Sequence, residues 1–347
     1  MGLAGPFGDA VGRPMRLAAL LAVEEINAAG GIEGRSVELV AADDFGDPDS
    51  AVVVAARLVS QGVTAVVGHV YSGTTLAAAP VYGAGPDPVA VVTPSSSAPE
   101  LSEAGDHVFR LCPTDLEHGA ALANWVRRGL GLERGGVLYL NDAYGRGVRQ
   151  SFLSRFAGTA GRAPQAFPYL GTRPAVGAYL DRLAAEKDSI QFLIVAGNRD
   201  EGVEILRQAR ARGLTVPVLG ADGLEGIETA GSLAEGVYLT AAYLPMVETD
   251  QNQRFVGAFR TRFPEAGAPN QPAAATYDAV YLLREVLVRA GVSKTAVLRG
   301  LAATGRELPA YQGVTGVIAF DEHGDLQRSP VLIGVVRNGA VEVAARR

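Results

Sequence analysis

The apolar positions of the chain come in two rhythms that alternate. Leu17, Leu20, Leu21, Ala22 and Ile26 fall at helical spacing, with Glu24 and Glu25 along one edge, and predict a helix over 13–29 that Gly30-Gly31 ends. Val37–Ala42 then alternates as a strand and runs into Asp43-Asp44. Asp47-Pro48 predicts a helix start, with Asp47 as N-cap and Pro48 in the first helical position, and Val52, Ala55, Ala56 and Val59 inward along a helix that reaches Gly62. A strand over Val63–Val67, a helix near Thr74–Tyr82 and a strand over Pro88–Val92 follow. Helix and strand in strict alternation predict a parallel, doubly wound sheet.

After a strand at His107–Leu111 the pattern restarts. It predicts helix 115–129, strand Gly136–Leu140, loop Asn141–Gly147, helix 147–157, strand Ala166–Tyr169, helix 174–187 and strand Gln191–Val195. Helix 201–212, strand Val216–Leu219, a short helix near 224–230 and strand Gly236–Ala242 complete this half. A third part reads as helices 250–262, Ala273–Ala290 and 293–303, then strands Gly316–Phe320, Pro330–Val336 and Ala340–Val343. A length of 347 residues fits about two such domains. Five polar loops stand at strand ends: AVVGHVYSG, VAVVTPSSS, VLYLNDAYG, FLIVAGNRD and PVLGADG. In open α/β sheets ligands sit beyond the C-terminal ends of strands, so two halves facing each other would bring these loops to one cleft.

Composition narrows the function. A net charge of −6, with no long basic run, argues against nucleic acid as a partner. The single cysteine, Cys112, rules out an intrachain disulfide and leaves the compartment open. No apolar run approaches the roughly 20 residues of a membrane span.

One stretch carries the first candidate chemistry. Val63–Val67 ends at Gly68, and Ser72, Gly73, Thr74 and Thr75 open the following helix. Free N–H groups and the dipole of a helix start suit an anion, and the Ser72 and Thr74 hydroxyls would add donors. The plainer reading is a helix cap. Ser95, Ser96 and Ser97 after Pro94 read as a second polar corner or an ordinary turn. Asp43 and Asp44 read as a solvated loop.

Enzyme signatures are missing: there is no G-x-S-x-G, no H-E-x-x-H and no Walker A, and Gly145 and Gly147 lack the third glycine of a dinucleotide fingerprint. His69, His107, His118 and His323 have no metal-ligand spacing. His69 lies three residues before Ser72, but no acid partner or oxyanion motif accompanies the pair. No catalysis, cofactor or metal is expected.

A series of segments resembles a known family. Ile26-Asn27-Ala28-Ala29-Gly30-Gly31-Ile32, Asp43-Asp44 with Asp47-Pro48, Gly68-His69 with Ser72, Thr93-Pro94-Ser95, Pro99-Glu100-Leu101 and Tyr144-Gly145-Arg146-Gly147 stand in order. Arg207-Gln208-Ala209-Arg210 with Gly213-Leu214, and Phe320-Asp321 with Gly324-Asp325-Leu326, continue that order to the end of the chain. Together they resemble type I periplasmic binding proteins, on the branch that binds leucine, isoleucine and valine for ABC importers.

The resemblance implies two Rossmann-like lobes with parallel sheets, joined by three hinge crossovers near Cys112–Asp115, Ala242–Pro245 and Phe320–Asp325. Lobe 1 would comprise 1–113 with 245–322, and lobe 2 would comprise 114–244 with 323–347. It implies capture of an amino acid, amide or related carboxylate, and delivery to ABC permease subunits by a monomeric periplasmic or extracellular protein. Ser72 and the Ser97 N–H would bind the carboxylate, within a corner formed by Ser95, Ser96 and Ser97, and the Ser95 carbonyl would accept from the ammonium. Tyr144 would cover the ligand, and Asp222 would pair with the ammonium, one methylene shorter than the glutamate common in the family. Asn198 stands where branched-chain binders carry an aromatic, which points away from a purely aliphatic ligand. Only Met1–Leu3 precede the loop at Ala4, where the family has an apolar strand. Either the start is set late, the chain is trimmed, or lobe 1 runs with a gap or a stub, and the missing piece would hold any leader or lipoprotein anchor. The same fold detached from transport would serve as a sensor domain.

Overall fold

A computed structural model describes residues 1–157, 164–171, 174–185 and 190–345. The chain forms two compact units, Met1–Cys112 with Tyr243–Ser329 and Pro113–Ala242 with Pro330–Arg347.

Unit 1 is built on β1 (Gly2–Gly5), α1 (Gly12–Ala28), β2 (Val40–Asp43), α2 (Pro48–Ser60), β3 (Ala65–Val67), α3 (Ser72–Tyr82), β4 (Ala90–Thr93) and β5 (Val108–Arg110). Its five strands are all parallel, in the order β2-β1-β3-β4-β5. The sheet has no gap: Gly2–Gly5 supplies the strand between β2 and β3, with Leu3 opposite Ala41 and Val67. Four residues suffice because successive side chains go to opposite faces. Leu3 joins Met15, Val67 and Val92 under α1 and the long helix Gln271–Ala290. Ala4 joins Leu58, Val66 and Val91 under α2 and α3. Gly2 has a further reason to be small, since a Cβ there would stand 2.9 Å from Val66 Cγ2.

Asp47 caps α2 as its sequence predicts, accepting from Ser50 N–H at 2.8 Å with Pro48 in the first turn. The strand expected at Gly316–Phe320 is shorter and lies outside the main sheet: Val317–Ile318 pairs with Tyr311–Gln312 in a sheet of two strands.

Unit 2 contains α4 (Asp115–Asn124), β6 (Gly135–Leu140), α5 (Ala143–Ala157), β7 (Gln165–Tyr169), α6 (Gly177–Ala185), β8 (Phe192–Ala196), α7 (Arg199–Ala211), β9 (Val218–Gly220) and β10 (Tyr238–Ala241). Strands β10, β9, β8, β6 and β7 run parallel in that order, and Leu332–Arg337 and Ala340–Val343 extend the β10 edge antiparallel. The alternation recurs: Leu193 and Val195 pack with Leu180 and Ile205 on one face, and Phe192 and Ile194 with Phe152 and Phe156 on the other. The last two residues of the helix expected over 174–187 lie outside the described residues.

The third passage between units differs from expectation. It falls at Ser329–Pro330, so residues 323–329 cluster with unit 1. The cause is Arg110, almost fully buried at the end of β5. Its N–H donates to the Gly324 carbonyl at 2.9 Å and its Nε to Asp325 Oδ1 at 2.5 Å, while Ser102 Oγ donates to Asp325 Oδ2 at 2.7 Å.

Candidate functional site

In unit 1 the two polar corners meet. Ser72 is the first residue of α3, and Ser95–Ser97 follow β4. Ser72 Oγ accepts from the N–H groups of Ser97, at 3.2 Å, and Ala98, at 3.1 Å. A hydroxyl that accepts twice still has its own proton to donate. Ser72 is therefore an O–H donor polarised by two backbone amides. This revises the expected part of the Ser97 N–H, which already points at Ser72. The opposite end of the loop is fixed by Arg110, whose Nη1 donates to the Ala98 carbonyl at 2.9 Å.

Ser96 is fully buried and works as a tie: its N–H donates to Thr93 Oγ1 at 3.1 Å, and its Oγ lies 2.6 Å from Thr75 Oγ1. Ser95 sits half-buried in the same loop. Simple helix capping is not what the hydroxyls do. Thr74 Oγ1 and Thr75 Oγ1 both donate back to the Tyr71 carbonyl, at 2.7 and 3.2 Å, so Thr74 is not a spare donor for an anion.

Behind this corner lies a feature that spacing alone concealed. Asp44 and His69 are fully buried, with His69 Nδ1 2.5 Å from Asp44 Oδ2 and His69 Nε2 3.1 Å from the Tyr82 hydroxyl. Asp44 is thus a core residue and not part of a solvated loop. Its other oxygen accepts from Gly46 N–H at 2.9 Å. Burial, then the charge of Asp44, pushes the Tyr82 phenol above its usual range, so it keeps its proton. His69 therefore has an acid partner after all, but its second nitrogen faces Tyr82 and not Ser72, so no hydrolytic relay is assembled.

Unit 2 brings Tyr144 and Asp222 together. Tyr144 lies within α5, which begins at Ala143, earlier than the loop expected over Asn141–Gly147. Asp142 Oδ1 accepts from Gly145 N–H at 2.8 Å and opens the helix there. Gly145 is required: a Cβ would meet the Leu140 carbonyl oxygen at 2.1 Å. The Tyr144 hydroxyl donates to Asp222 Oδ1 at 3.0 Å and accepts from Gly223 N–H at 2.8 Å. Desolvation first, then the carboxylates of Asp222 and Asp115, pushes the phenol far up, so it stays a donor. The Asp222 side chain is 17% exposed, open enough to meet a ligand and held in one orientation.

Asn198 is half-buried at the N-cap of α7, beyond the end of β8, and its N–H donates to Glu201 Oε2 at 2.7 Å. Its neighbour Gly197 packs against the Asp222 loop, since a Cβ on Gly223 would lie 2.7 Å from the Gly197 oxygen. Asn198 thus borders the Tyr144–Asp222 pair without a hydrogen bond to it.

His118 and Asp115 escaped the reading of the sequence. Both are fully buried near the start of α4, and His118 Nε2 is 3.5 Å from Asp222 Oδ2. The available signal was their i,i+3 spacing, which places them on one face of a helix. Among the described residues no group of three His, Cys, Asp or Glu side chains is placed to hold a metal, and no helix is long and apolar enough to cross a membrane.

Residues 2–340 match the family described as periplasmic binding protein. The chain belongs to this family. The leucine-, isoleucine-, valine-, threonine-, and alanine-binding protein of Pseudomonas aeruginosa is 32% identical over 337 residues, 94% of this chain and 86% of its own length. A substrate-binding protein of an ABC transporter from Desulfitobacterium hafniense, solved with Leu, is 29% identical with a TM-score of 0.85 over 99% of both chains. A branched-chain amino acid transporter substrate binding protein of Streptococcus pneumoniae, solved with isoleucine, is 28% identical with a TM-score of 0.86, covering 99% of this chain and 97% of that one. The family is one of solute-binding proteins and not of enzymes, and its members work in the periplasm or outside the cell.

Proposed function

We propose that this chain captures a small α-amino acid outside the cytoplasm and delivers it to the permease of an ABC importer. The observation that carries the reading is Asp222, a partly open carboxylate aimed by the Tyr144 hydroxyl. A carboxylate so placed suits an ammonium group. In unit 1 the Ser72 hydroxyl, with two amides behind it, suits a carboxylate. The first set suits the ammonium and the second the carboxylate of an amino-acid head group. The family supports this: the relatives above are named for amino acids and for ABC transport. The Pseudomonas aeruginosa relative is named for threonine and alanine as well as branched-chain residues, and Asn198 favours a side chain of that small or polar kind here. The three passages of chain between the units serve as the hinge, and the protein works as a monomer.

A thermal-shift and calorimetric screen of the twenty amino acids, their amides and simple carboxylates tests the proposal. One or more amino acids should stabilise the protein, and the matching 2-oxo acids and amines should not. A screen in which no amino acid, amide or carboxylate stabilises it would remove the amino-acid reading.

A further inference from the structure

His118 is the buried group that the site so far leaves without work. It is fully buried on α4, and its place there is tightly set. Thr114 and Glu117 close a capping box: Thr114 Oγ1 accepts from Glu117 N–H at 3.3 Å, and Glu117 Oε2 accepts from Thr114 N–H at 2.7 Å. The next residue is His118. Gly119 then lets α4 lie directly on α5, where a Cβ would stand 2.5 Å from Ser151 Cβ and 2.7 Å from the Phe152 nitrogen. The helix cannot easily turn to aim His118 elsewhere.

The two ring nitrogens have unlike surroundings. Nδ1 lies 2.7 Å from Thr240 Oγ1. Thr240 is fully buried on β10, and among the described residues its hydroxyl has this one hydrogen-bonding partner. A buried hydroxyl with one neighbour gives that neighbour its proton, because an unmade buried hydrogen bond is costly. Nδ1 then accepts, and the imidazole proton sits on Nε2. Nε2 is buried, has no hydrogen-bond partner in this conformation, and stands 3.5 Å from Asp222 Oδ2. That oxygen is the one Tyr144 does not hold, since Tyr144 donates to Oδ1.

We propose that His118 is a positioning residue for ligand binding: Thr240 fixes its tautomer, and its Nε2–H steadies the second oxygen of Asp222 for the ligand ammonium. The inference rests on the reading of Asp222 given above. It adds that the strength of ammonium capture is set by two side chains the ligand never touches, in the way that outer partners orient metal-binding ligands. It also makes the effect selective. A ligand without an ammonium gains nothing from Asp222, so it should be indifferent to both residues.

The test uses the full chain with L-leucine and L-alanine as probes, and 4-methyl-2-oxopentanoate and pyruvate as their counterparts without the ammonium. Thr240→Val keeps shape and removes the hydroxyl. It should weaken L-leucine or L-alanine about ten-fold, roughly the value of one charge-assisted contact, leave any 2-oxo acid binding unchanged, and be rescued by Thr240→Ser. Long-range proton–nitrogen correlation of the labelled protein should show His118 protonated on Nε2. A proton on Nδ1, or amino-acid affinity unchanged in Thr240→Val, overturns the proposal. Asp222→Asn separates the two layers. If it loses affinity while Thr240→Val does not, the assignment of His118 falls and the amino-acid site stands. If Asp222→Asn binds as well as the unaltered chain, or the unaltered chain binds none of the twenty amino acids, both fall together.

Discussion

Each unit holds an aspartate, a histidine and a hydroxyl in line, and the two lines are exposed at different points. In unit 1 Asp44, His69 and Tyr82 are all buried, and the charge is enclosed. What reaches the Ser95–Ser97 loop is backbone: the His69 carbonyl accepts from Thr93 Oγ1 at 2.7 Å and thereby holds the turn that leads to Ser96 and Ser97. In unit 2 His118 and Thr240 are buried, but the aspartate at the head of the line is partly open. The same three kinds of group therefore do different work according to which of them keeps contact with water. An enclosed carboxylate with all its partners supports the fold. A carboxylate left open at one edge and steadied from behind is available for a cation.

The largest effects should break this comparison on the side of unit 1. His69→Leu leaves Asp44 buried without its partner and should destabilise the protein by about 3–5 kcal/mol, as for other broken buried pairs. Urea unfolding would show the loss, and the portion still folded should bind its amino acid with near-normal affinity. The matching change in unit 2 should act the other way. Asp222→Asn should change stability little and reduce amino-acid affinity about a hundred-fold, or ~3 kcal/mol. Ser72→Ala should follow with a loss of about ten-fold, shared equally by all amino acids, because it removes one donor to a group they have in common. Asn198→Ala should leave the mean affinity near its starting value and reorder the ligands. Calorimetric titration of each variant with the same amino-acid panel distinguishes these three.

A smaller effect sharpens the comparison by setting its conditions. Asp278, buried in unit 1, has its carboxyl pushed up to about 6 by burial, against the pull of hydrogen bonds from Thr315 and the Val314 N–H. Its folded value is above the ordinary carboxylate value, so the folded state takes up the proton first. Stability from this group is therefore gained as pH falls through about 6 and is absent at pH 7 and above. The unaltered chain should gain stability relative to Asp278→Asn between pH 7 and pH 5, read as the difference between their urea midpoints at each pH.

The sequence was most legible where a local rule decides the structure. Asp47-Pro48 specified a helix start, and the apolar run Val63–Val67 specified a strand, which spans Ala65–Val67 and is buried throughout. The strand at Gly2–Gly5 was harder to see because small residues at its ends leave little pattern, and its place is set by the neighbours that close around it. Within the site, Ser72 with Ser95–Ser97, and Tyr144 with Asp222, were legible as loops at strand ends. His118 was not, because its neighbours come from β9 and β10, about a hundred residues on in the chain. Asp44 was misread for the same reason: nothing near it in the chain announces His69, which lies 25 residues on, after the next helix and strand.

The most direct test of the account compares one amino acid with its two truncated forms on the unaltered chain. Titration with L-alanine, pyruvate and ethylamine asks whether both halves of the head group are read. The account predicts that the amino acid binds and that each truncated form binds at least about a hundred-fold more weakly, since each forfeits a charge-assisted contact. A 2-oxo acid that binds as tightly as the amino acid would show that Asp222 reads no ammonium, and would contradict it.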